Sequence, residues 1–153
     1  MTFTIEKIIS GGQTGVDRAA LDFAMKFDIP HGGWCPKGRI AEDGIIPAKY
    51  QLMETDSVNY SVRTKKNIKQ SNGTMILYSP PMEGGTAFTY EIAFRLGKPL
   101  LLLDLNFLPT IGAIHQWIFE NRIQILNIAG SRESQRPGIT LQTMEILTKF
   151  LLT

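Results

Sequence analysis

Five apolar segments that alternate with amphipathic ones constrain the fold of this chain most strongly. Segments such as LLLLD lack the polar alternation of a half-exposed strand and are typical of strands covered on both faces of a parallel sheet. The apolar segments, of which the second is short, span residues 4–10, 28–34, 74–79, 99–105 and 123–129. Helical periodicity predicts helices over residues 17–27, 57–71, 86–97, 108–122 and 140–153, with Ser57 as the N-cap of the second. This alternation predicts a doubly wound α/β fold, a three-layer sandwich with a mainly parallel sheet of about five strands.

Length, composition and charge predict one soluble domain over residues 1–153. The chain has 153 residues, of which 43% are hydrophobic and 20% charged, as in ordinary globular proteins. Its formal net charge of +2 is too small to indicate a nucleic-acid or membrane-surface partner. The single cysteine, Cys35, excludes an internal disulfide and a cysteine-based zinc site. With no signal pattern and no apolar run of membrane-spanning length, we expect a cytoplasmic protein with no membrane or nucleic-acid partner.

Glycine-rich loops follow the first, third and fifth apolar segments, at residues 11–18, 80–91 and 129–138. In open α/β sheets, ligands bind outside the carboxyl ends of the strands, where the strand order reverses. If the first strand lies next to the third, the first two loops face each other across that crevice. A fourth irregular segment, residues 34–56, is long for a compact domain and is expected to be functional or to form a lid.

The first loop, GGQTGVDR, has the features of an anion-binding turn. Its glycines can adopt positive φ and allow a ligand to approach the main chain, and the last of them leaves the first N–H groups of a helix free for an anion. Side chains add donors and a charge pair, although Asp17 is equally a plain helix-start residue. The predicted ligand-binding residues of this loop are Gly11, Gly12, Gln13, Thr14, Gly15, Asp17 and Arg18.

The second loop, EGGTAFTYE, repeats this pattern at Gly84, Gly85 and Thr86, with Glu91 on the helix that follows. Each loop alone is explained by a tight turn, but two such loops favour a phosphate-bearing or nucleotide-like ligand. The loops match neither a Walker A motif nor the G-x-G-x-x-G dinucleotide fingerprint, since no Lys-Ser/Thr pair and no matching glycine spacing is present.

Further polar residues are candidates. Arg39 lies in the long irregular segment, where its guanidinium either binds an anion or pairs with a nearby carboxylate at the surface. Arg63, Thr64 and Asn67 lie within one helical turn and can form one polar face. At the fifth strand, the residues that can line the same end of the sheet are Asn127, Arg132 and Glu133. Cys35 is either a soft thiolate ligand or a buried small side chain, and Trp34 either stacks on a heterocycle or packs its own loop.

Five ordered blocks of the sequence resemble the molybdenum cofactor carrier family: SGGQTGVDRAALDFA, GWCPKGRIAEDG, YSVRTKKNIKQSNGT, GGTAFTYEIA and LNIAGSRESQRPGI. The resemblance implies a Rossmann-like domain, related to the lysine decarboxylase-like group that includes the cytokinin-activating phosphoribohydrolases. It also implies a homo-oligomer that binds the molybdenum cofactor (molybdopterin) as cargo, protects it and delivers it to molybdoenzymes. Such a carrier needs donors for the phosphate and for oxo groups, and it needs no resident metal and no catalytic base.

Two alternatives remain open, a sensor of a nucleotide-derived ligand and an enzyme that hydrolyses nucleoside monophosphates. The phosphoribohydrolases have a proline-glycine-glycine motif followed by glycine-threonine and a glutamate. The chain keeps Gly84, Gly85, Thr86 and Glu91, with different spacing. An enzyme of this kind needs a carboxylate near the ribose. Glu91 is the first candidate for that carboxylate and Asp17 the second, whereas a carrier has no catalytic residue.

Overall fold

The computed structural model describes residues 5–152 and has the predicted α/β architecture. The five strands of its central sheet are β1 (Lys7–Ile9), β2 (His31–Gly32), β7 (Gly73–Tyr78), β8 (Leu100–Asp104) and β9 (Ile125–Gly130). Four short strands precede β7 in the chain, namely β3 (Trp34–Cys35), β4 (Ile40–Ala41), β5 (Gly44–Ile45) and β6 (Met53–Glu54). The helices are α1 (Val16–Lys26), α2 (Tyr60–Gln70), α3 (Gly84–Arg95), α4 (Ile111–Glu120) and α5 (Ile139–Leu151).

The central sheet has the order β2-β1-β9-β7-β8, and every pairing in it is parallel. The expectation that the first strand lies next to the third is therefore wrong. β9 is inserted between them, so that Asn127 is paired with Ile9 on one side and with Thr74 on the other. This insertion brings the loop after β9 between the two glycine loops, and all three lie at one end of the sheet.

The helices cover the sheet in two layers. α1 packs against α5, which also contacts α4, whereas α2 packs against α3. Ile8, Met75 and Ile128 are fully buried at the centre of the core, as expected for unalternating apolar strands between two helical layers. No helix within residues 5–152 combines the length and the apolar character needed to span a membrane.

Element boundaries differ modestly from the predicted ones. α2 begins at Tyr60, and its N-cap is Asn59, whose side chain accepts a hydrogen bond from the Ser61 N–H at 2.9 Å. Ser57, the predicted cap, instead accepts a hydrogen bond from the N–H of Asn59 at 3.0 Å. α3 begins two residues earlier than predicted, at Gly84. Residues 4 and 153, at the ends of the predicted first strand and last helix, lie outside the described residues.

The segment 34–56 is ordered, although it has little regular secondary structure. β3 pairs with β6, and β4 pairs with β5 in a small hairpin. Beneath them, a second apolar cluster consists of Leu21, Cys35, Ile46 and Tyr50. The Arg39 guanidinium holds the segment from within, because it donates to the carbonyl oxygens of Ile46 (3.3 Å), Pro47 (2.9 Å), Tyr50 (2.8 Å) and Leu52 (3.4 Å). Arg39 forms no ion pair with a carboxylate among the described residues, and its carbonyl contacts favour a structural role over the predicted anion binding.

Candidate ligand-binding site

A cavity of about 230 Å³ lies at the carboxyl ends of β1, β9 and β7, between the starts of α2 and α3. Its walls come from the first glycine loop, the first turns of both helices and the residues that end and follow β9. The predicted site residues that line it are Gly11, Gln13, Asp17, Arg63, Asn67, Gly84, Gly85, Thr86 and Arg132. Those outside its walls are Gly12, Thr14, Gly15, Arg18, Arg39 and Glu91.

Several N–H groups of the first glycine loop already have protein acceptors, whereas the sequence predicts a free anion cradle. Ser131, in the loop after β9, lies against the start of α1, and its carbonyl oxygen accepts the N–H of Val16 at 3.2 Å. Inside the loop, N–H groups are bonded from Gly12 to Ser10 Oγ (3.3 Å), from Gln13 to Asp17 Oδ2 (3.3 Å), from Thr14 to Gln13 Oε1 (3.0 Å) and from Arg18 to Gln13 O (3.0 Å). These N–H groups are therefore occupied in the absence of any ligand.

Two glycines of this loop are required by packing. Gly15 has φ +83°, and a Cβ there would lie 2.3 Å from the carbonyl oxygen of Ser131. Gly12 has φ +79°, and a Cβ there would lie 2.5 Å from Cδ1 of Leu52, on the side of the second apolar cluster. Both positions therefore serve close contacts between segments, and neither lines the cavity.

Thr14 and Arg18 connect the loop to neighbouring segments. The Thr14 hydroxyl donates to the carboxylate of Glu42 and accepts the N–H of Glu133 at 3.3 Å. Arg18 forms a forked ion pair with Asp43, with nitrogen–oxygen distances of 2.5 and 3.1 Å, and also donates to the carbonyl oxygen of Gly12. Both side chains therefore attach the segment 34–56 to α1 and to the loop after β9, outside the cavity.

The N-terminus of α3, by contrast, is open. Its N-cap, Glu83, makes no side-chain cap hydrogen bond, and the N–H groups of Gly84 and Gly85 have no acceptor among the described residues. A Cβ at Gly85 would have no neighbour within 4 Å. Unpaired N–H groups and the positive end of the helix dipole both favour an anion at this position. The second glycine loop therefore has the free N–H groups at a helix start that the sequence predicts for both glycine loops.

The guanidinium groups of two arginines lie at the same cavity, and both are close to the ring of Tyr60. Arg63 is 9% exposed and donates from Nη1 to the Gly11 carbonyl oxygen at 2.6 Å and from Nε to the Thr64 hydroxyl at 3.3 Å. The Tyr60 ring centroid lies 5.2 Å from the Arg63 Cζ and 5.3 Å from the Arg132 Cζ. The ring attracts both cations through its quadrupole and so holds two positive charges close together. Such a pair is suited to an anionic ligand.

Asp17 supplies the one carboxylate among the described residues that line the cavity. The side chain is 7% exposed, and Oδ2 accepts the N–H of Gln13 at 3.3 Å. Burial raises the pKa of Asp17 above its ordinary value, although Arg63, the Gln13 N–H, Arg18 and Arg132 act in the opposite direction. A buried, perturbed carboxylate in a cleft is a common mark of a functional site.

Glu91 does not reach the cavity. Its carboxylate pairs with Arg95 one turn further along α3, and its side chain is 50% exposed. Glu91 therefore lies outside this cavity, and its role in binding or catalysis stays a prediction from the sequence.

Asn67 and Trp34 serve the backbone of the neighbouring segment. The Asn67 side chain accepts the N–H of Trp34 at 2.8 Å and donates to its carbonyl oxygen at 3.0 Å, which clamps β3 to α2. The Trp34 indole donates to Gln70 at 2.9 Å, and the Lys66 Nζ lies 4.1 Å from its ring centroid. Neither Trp34 nor Cys35 lines the cavity, and burial raises the pKa of the Cys35 thiol. Among residues 5–152, no cluster of three or more His, Cys, Asp or Glu side chains is arranged to hold a metal ion.

Several cavity residues were not predicted from the sequence. Tyr60 stands three positions before Arg63, and this spacing on one helix face is a signal that was available. The remaining unpredicted residues that line the cavity are Ser61, Phe88, Thr89, Ala129, Gly130 and Gln135. Two candidates from the sequence, Thr64 and Asn127, also line it, and Asn127 donates to the Thr74 hydroxyl at 3.2 Å.

Comparison with known proteins agrees with this fold and with the resemblance of the sequence blocks. Residues 8–151 match the family model described as "Circularly permutated YpsA SLOG family". The crystal structure of a protein from Syntrophus aciditrophicus SB, named "Putative molybdenum carrier protein" and determined at 1.45 Å resolution, superposes with a TM-score of 0.94. It is 47% identical in sequence, and the match covers 99% of this chain and 98% of that one. Among curated proteins, none matches the chain significantly.

Proposed function

We propose that this chain, which belongs to the circularly permutated YpsA SLOG family, binds a phosphate-bearing heterocyclic small molecule in the cavity between α2 and α3. We further propose that this molecule is the molybdenum cofactor, carried as cargo for delivery to molybdoenzymes and not transformed. The similar protein from Syntrophus aciditrophicus, named as a molybdenum carrier, supports this assignment.

The main support for the proposal is that three groups that favour an anion line the same cavity. The Arg63 and Arg132 guanidiniums share contact with Tyr60, and the open first turn of α3 contributes the N–H groups of Gly84 and Gly85. Each of these features alone is common on protein surfaces. Together, in a concave site at the carboxyl ends of parallel strands, they are typical of a phosphate-binding site.

The residues present fit a phosphate-bearing pterin. The phosphate and oxo groups would lie against the guanidiniums and the α3 N-terminus, and the polar ring edges would meet Gln13 and Asp17. Cys35 lies in the second apolar cluster and is fully buried, so that it offers no thiolate to the cargo. In this proposal the metal is held by the cofactor's own dithiolene, and the chain supplies hydrogen bonds and charge.

A nucleoside-monophosphate hydrolase is the second candidate, and one observation favours it. Asp17 is a buried carboxylate that lines the cavity, and burial raises its pKa above the ordinary value, as is common for catalytic carboxylic acids. No second carboxylate lines the described walls of this cavity. A two-carboxylate mechanism would therefore need its other group from elsewhere.

The two candidates are separated by measuring protection and turnover on the same preparations. If the chain is a carrier, it slows the air oxidation of added molybdenum cofactor and releases no base from nucleoside monophosphates. The variant Arg132→Ala is expected to lose this protection. Arg95→Ala is the matched control, because it removes one arginine from the exposed end of α3. Base release by the parent protein that is lost in Asp17→Asn would instead identify an enzyme.

A further inference from the structure

We infer that Asp17 is the specificity-determining residue of this cavity, and that it accepts a hydrogen bond from an exocyclic amino group on the heterocycle of the ligand. The inference rests on the proposed function, since it assumes a phosphate-bearing heterocycle in the cavity. It assigns the chemical class of that heterocycle as amino-substituted, a chemistry that pterins share with guanine and adenine.

Asp17 has one carboxylate oxygen that accepts no hydrogen bond from the described residues. The side chain is more than nine-tenths buried and lines the cavity, and Oδ2 accepts the N–H of Gln13. Oδ1 has no hydrogen-bond partner within residues 5–152, and it is not among the side-chain atoms that are fully enclosed without a partner. This oxygen therefore stays accessible from the cavity, and a ligand that places a hydrogen-bond donor against it gains a charge-assisted hydrogen bond.

Gln13 supplies the second step. Its Oε1 accepts two N–H groups, from Thr14 at 3.0 Å and from Glu42 at 2.9 Å, and these two donors fix the orientation of the amide. The other end of the Gln13 amide is therefore the nitrogen Nε2, which is buried and has no hydrogen-bond partner. The residues that line the cavity thus include Asp17, which has an unused and accessible acceptor, and Gln13, whose unused donor is enclosed by protein atoms.

The third step is the charge distribution of the cavity. Arg63, Arg132 and the α3 N-terminus favour an anion, whereas the Asp17 carboxylate repels one. A ligand that fits both must place its anionic group near the α3 end and a hydrogen-bond donor at Asp17. A second phosphate or carboxylate at Asp17 is disfavoured for the same reason.

A phosphate-bearing, amino-substituted heterocycle meets both requirements. Its amino group donates to the Asp17 oxygen while its phosphate lies at the α3 end. Exchange of the amino group for an oxo group puts a second acceptor against the carboxylate, which the site should reject. A sugar hydroxyl is the competing donor, and it is common to both members of such an amino–oxo pair.

The test is equilibrium binding of ligand pairs that differ in this exocyclic group and in the proton on the adjacent ring nitrogen, measured by titration calorimetry. The pairs are guanosine and xanthosine monophosphate, adenosine and inosine monophosphate, and pterin-6-carboxylate and its 2,4-dioxo analogue. The parent protein is expected to bind the amino member at least about tenfold more tightly in one pair or more, and the preferred pair identifies the heterocycle. Because this preference is measured on the unmodified chain, it does not depend on how any variant folds.

The variant Asp17→Asn sharpens the test, since its amide keeps an oxygen for the Gln13 N–H and turns an NH₂ donor to the cavity. The preference is expected to fall to equality or to reverse toward the oxo member. Equal affinity of the parent for both members of every pair would overturn the inference. The inference would also be overturned if Asp17→Asn lost affinity equally for both members of a pair. That result would mean that Asp17 binds the sugar or stabilises the loop. In both of those cases the proposed function stands if the compounds bind. Binding of none of these compounds, nor of inorganic phosphate, would reject the proposed function as well.

Discussion

Arg63 Nη1 lies 2.6 Å from the carbonyl oxygen of Gly11, a buried hydrogen bond between residues 52 positions apart. It joins α2 to the loop after β1 and orients the guanidinium along the cavity wall. A Cβ at Gly11 would lie 2.3 Å from Nη1, which explains why a glycine stands there. The loop therefore contributes to the site as an acceptor that positions a cation and not as a ring of N–H donors.

Replacement of Arg63 tests this role. Arg63→Ala removes a cation from the cavity and leaves a buried carbonyl oxygen without its donor. We expect ligand affinity to fall at least about tenfold and the free energy of unfolding to fall by about 2 kcal/mol. Calorimetric titration and urea denaturation measure the two effects. Lys65→Ala is the control, because it removes an exposed charge from the same helix. Parent-like affinity in Arg63→Ala would remove Arg63 from the site.

The two glycine loops are expected to respond differently to alanine. Gly15→Ala forces a Cβ into the Ser131 carbonyl oxygen at a φ of +83°, so that we expect a loss of at least about 2 kcal/mol in unfolding free energy. Gly85→Ala has open space around its Cβ and no positive φ. Its stability should change by less than about 1 kcal/mol. Thermal denaturation of both variants measures the difference, and equal losses would contradict the packing role assigned to Gly15.

Arg39 is expected to matter for the segment 34–56 and not for the ligand. Arg39→Ala removes four hydrogen bonds to the carbonyl oxygens of this segment. We expect faster amide hydrogen exchange and faster proteolysis between residues 39 and 54, with a loss of about 2 kcal/mol in local stability. Lys37→Ala, which changes an exposed neighbour, is the control. If Arg39→Ala abolished ligand binding and left exchange rates unchanged, the assigned role would be incorrect.

The raised pKa of Asp17 predicts a pH dependence of stability. Below its unfolded-state pKa of about 3.8, both states hold the proton and Asp17 has no effect. As pH rises from there through the raised folded-state pKa, the unfolded chain ionises first, and the folded state loses stability. Asp17→Asn lacks this penalty, although Arg63, Arg18 and Arg132 reduce it in the parent.

The unfolding free energy of Asp17→Asn relative to the ligand-free parent should therefore increase from below pH 3.8 toward neutral pH. Urea denaturation at a series of pH values measures it. A relative stability that decreases over this range would mean that the arginines outweigh burial and that the carboxylate is stabilised as an ion.

The sequence predicted the architecture because its strongest signals are local. Unalternating runs such as residues 99–105 and the stop signals at Gly97 and Pro99 depend on near neighbours in the chain. The order of the strands is not local, and nothing in the sequence of β9 indicates that it lies between β1 and β7. The prediction that the two loops face each other directly requires β1 and β7 to be adjacent, whereas β9 lies between them in the sheet.

The site was predicted in part, for the same reason. Gly84, Gly85 and Thr86 line the cavity as the helix-start pattern indicated. The first loop had the same pattern, but Ser131 covers its helix start from 115 residues away, a contact that no local pattern reveals. Arg18 and Arg39 looked like Arg63 in sequence. Their guanidiniums differ only in what tertiary structure brings to them, namely Asp43 for Arg18 and backbone carbonyls for Arg39.

The cargo of the cavity is tested by identifying what copurifies with the protein from cells that make molybdenum cofactor. Native mass spectrometry together with metal analysis identifies and quantifies the bound molecule. We expect molybdenum and a phosphate-bearing pterin in amounts comparable to the protein for the parent and for Arg95→Ala. We expect both to be lost from the double variant Arg63→Ala, Arg132→Ala. A folded parent that carries neither, or a double variant that carries as much as the parent, would contradict the assignment of this cavity as the cofactor site.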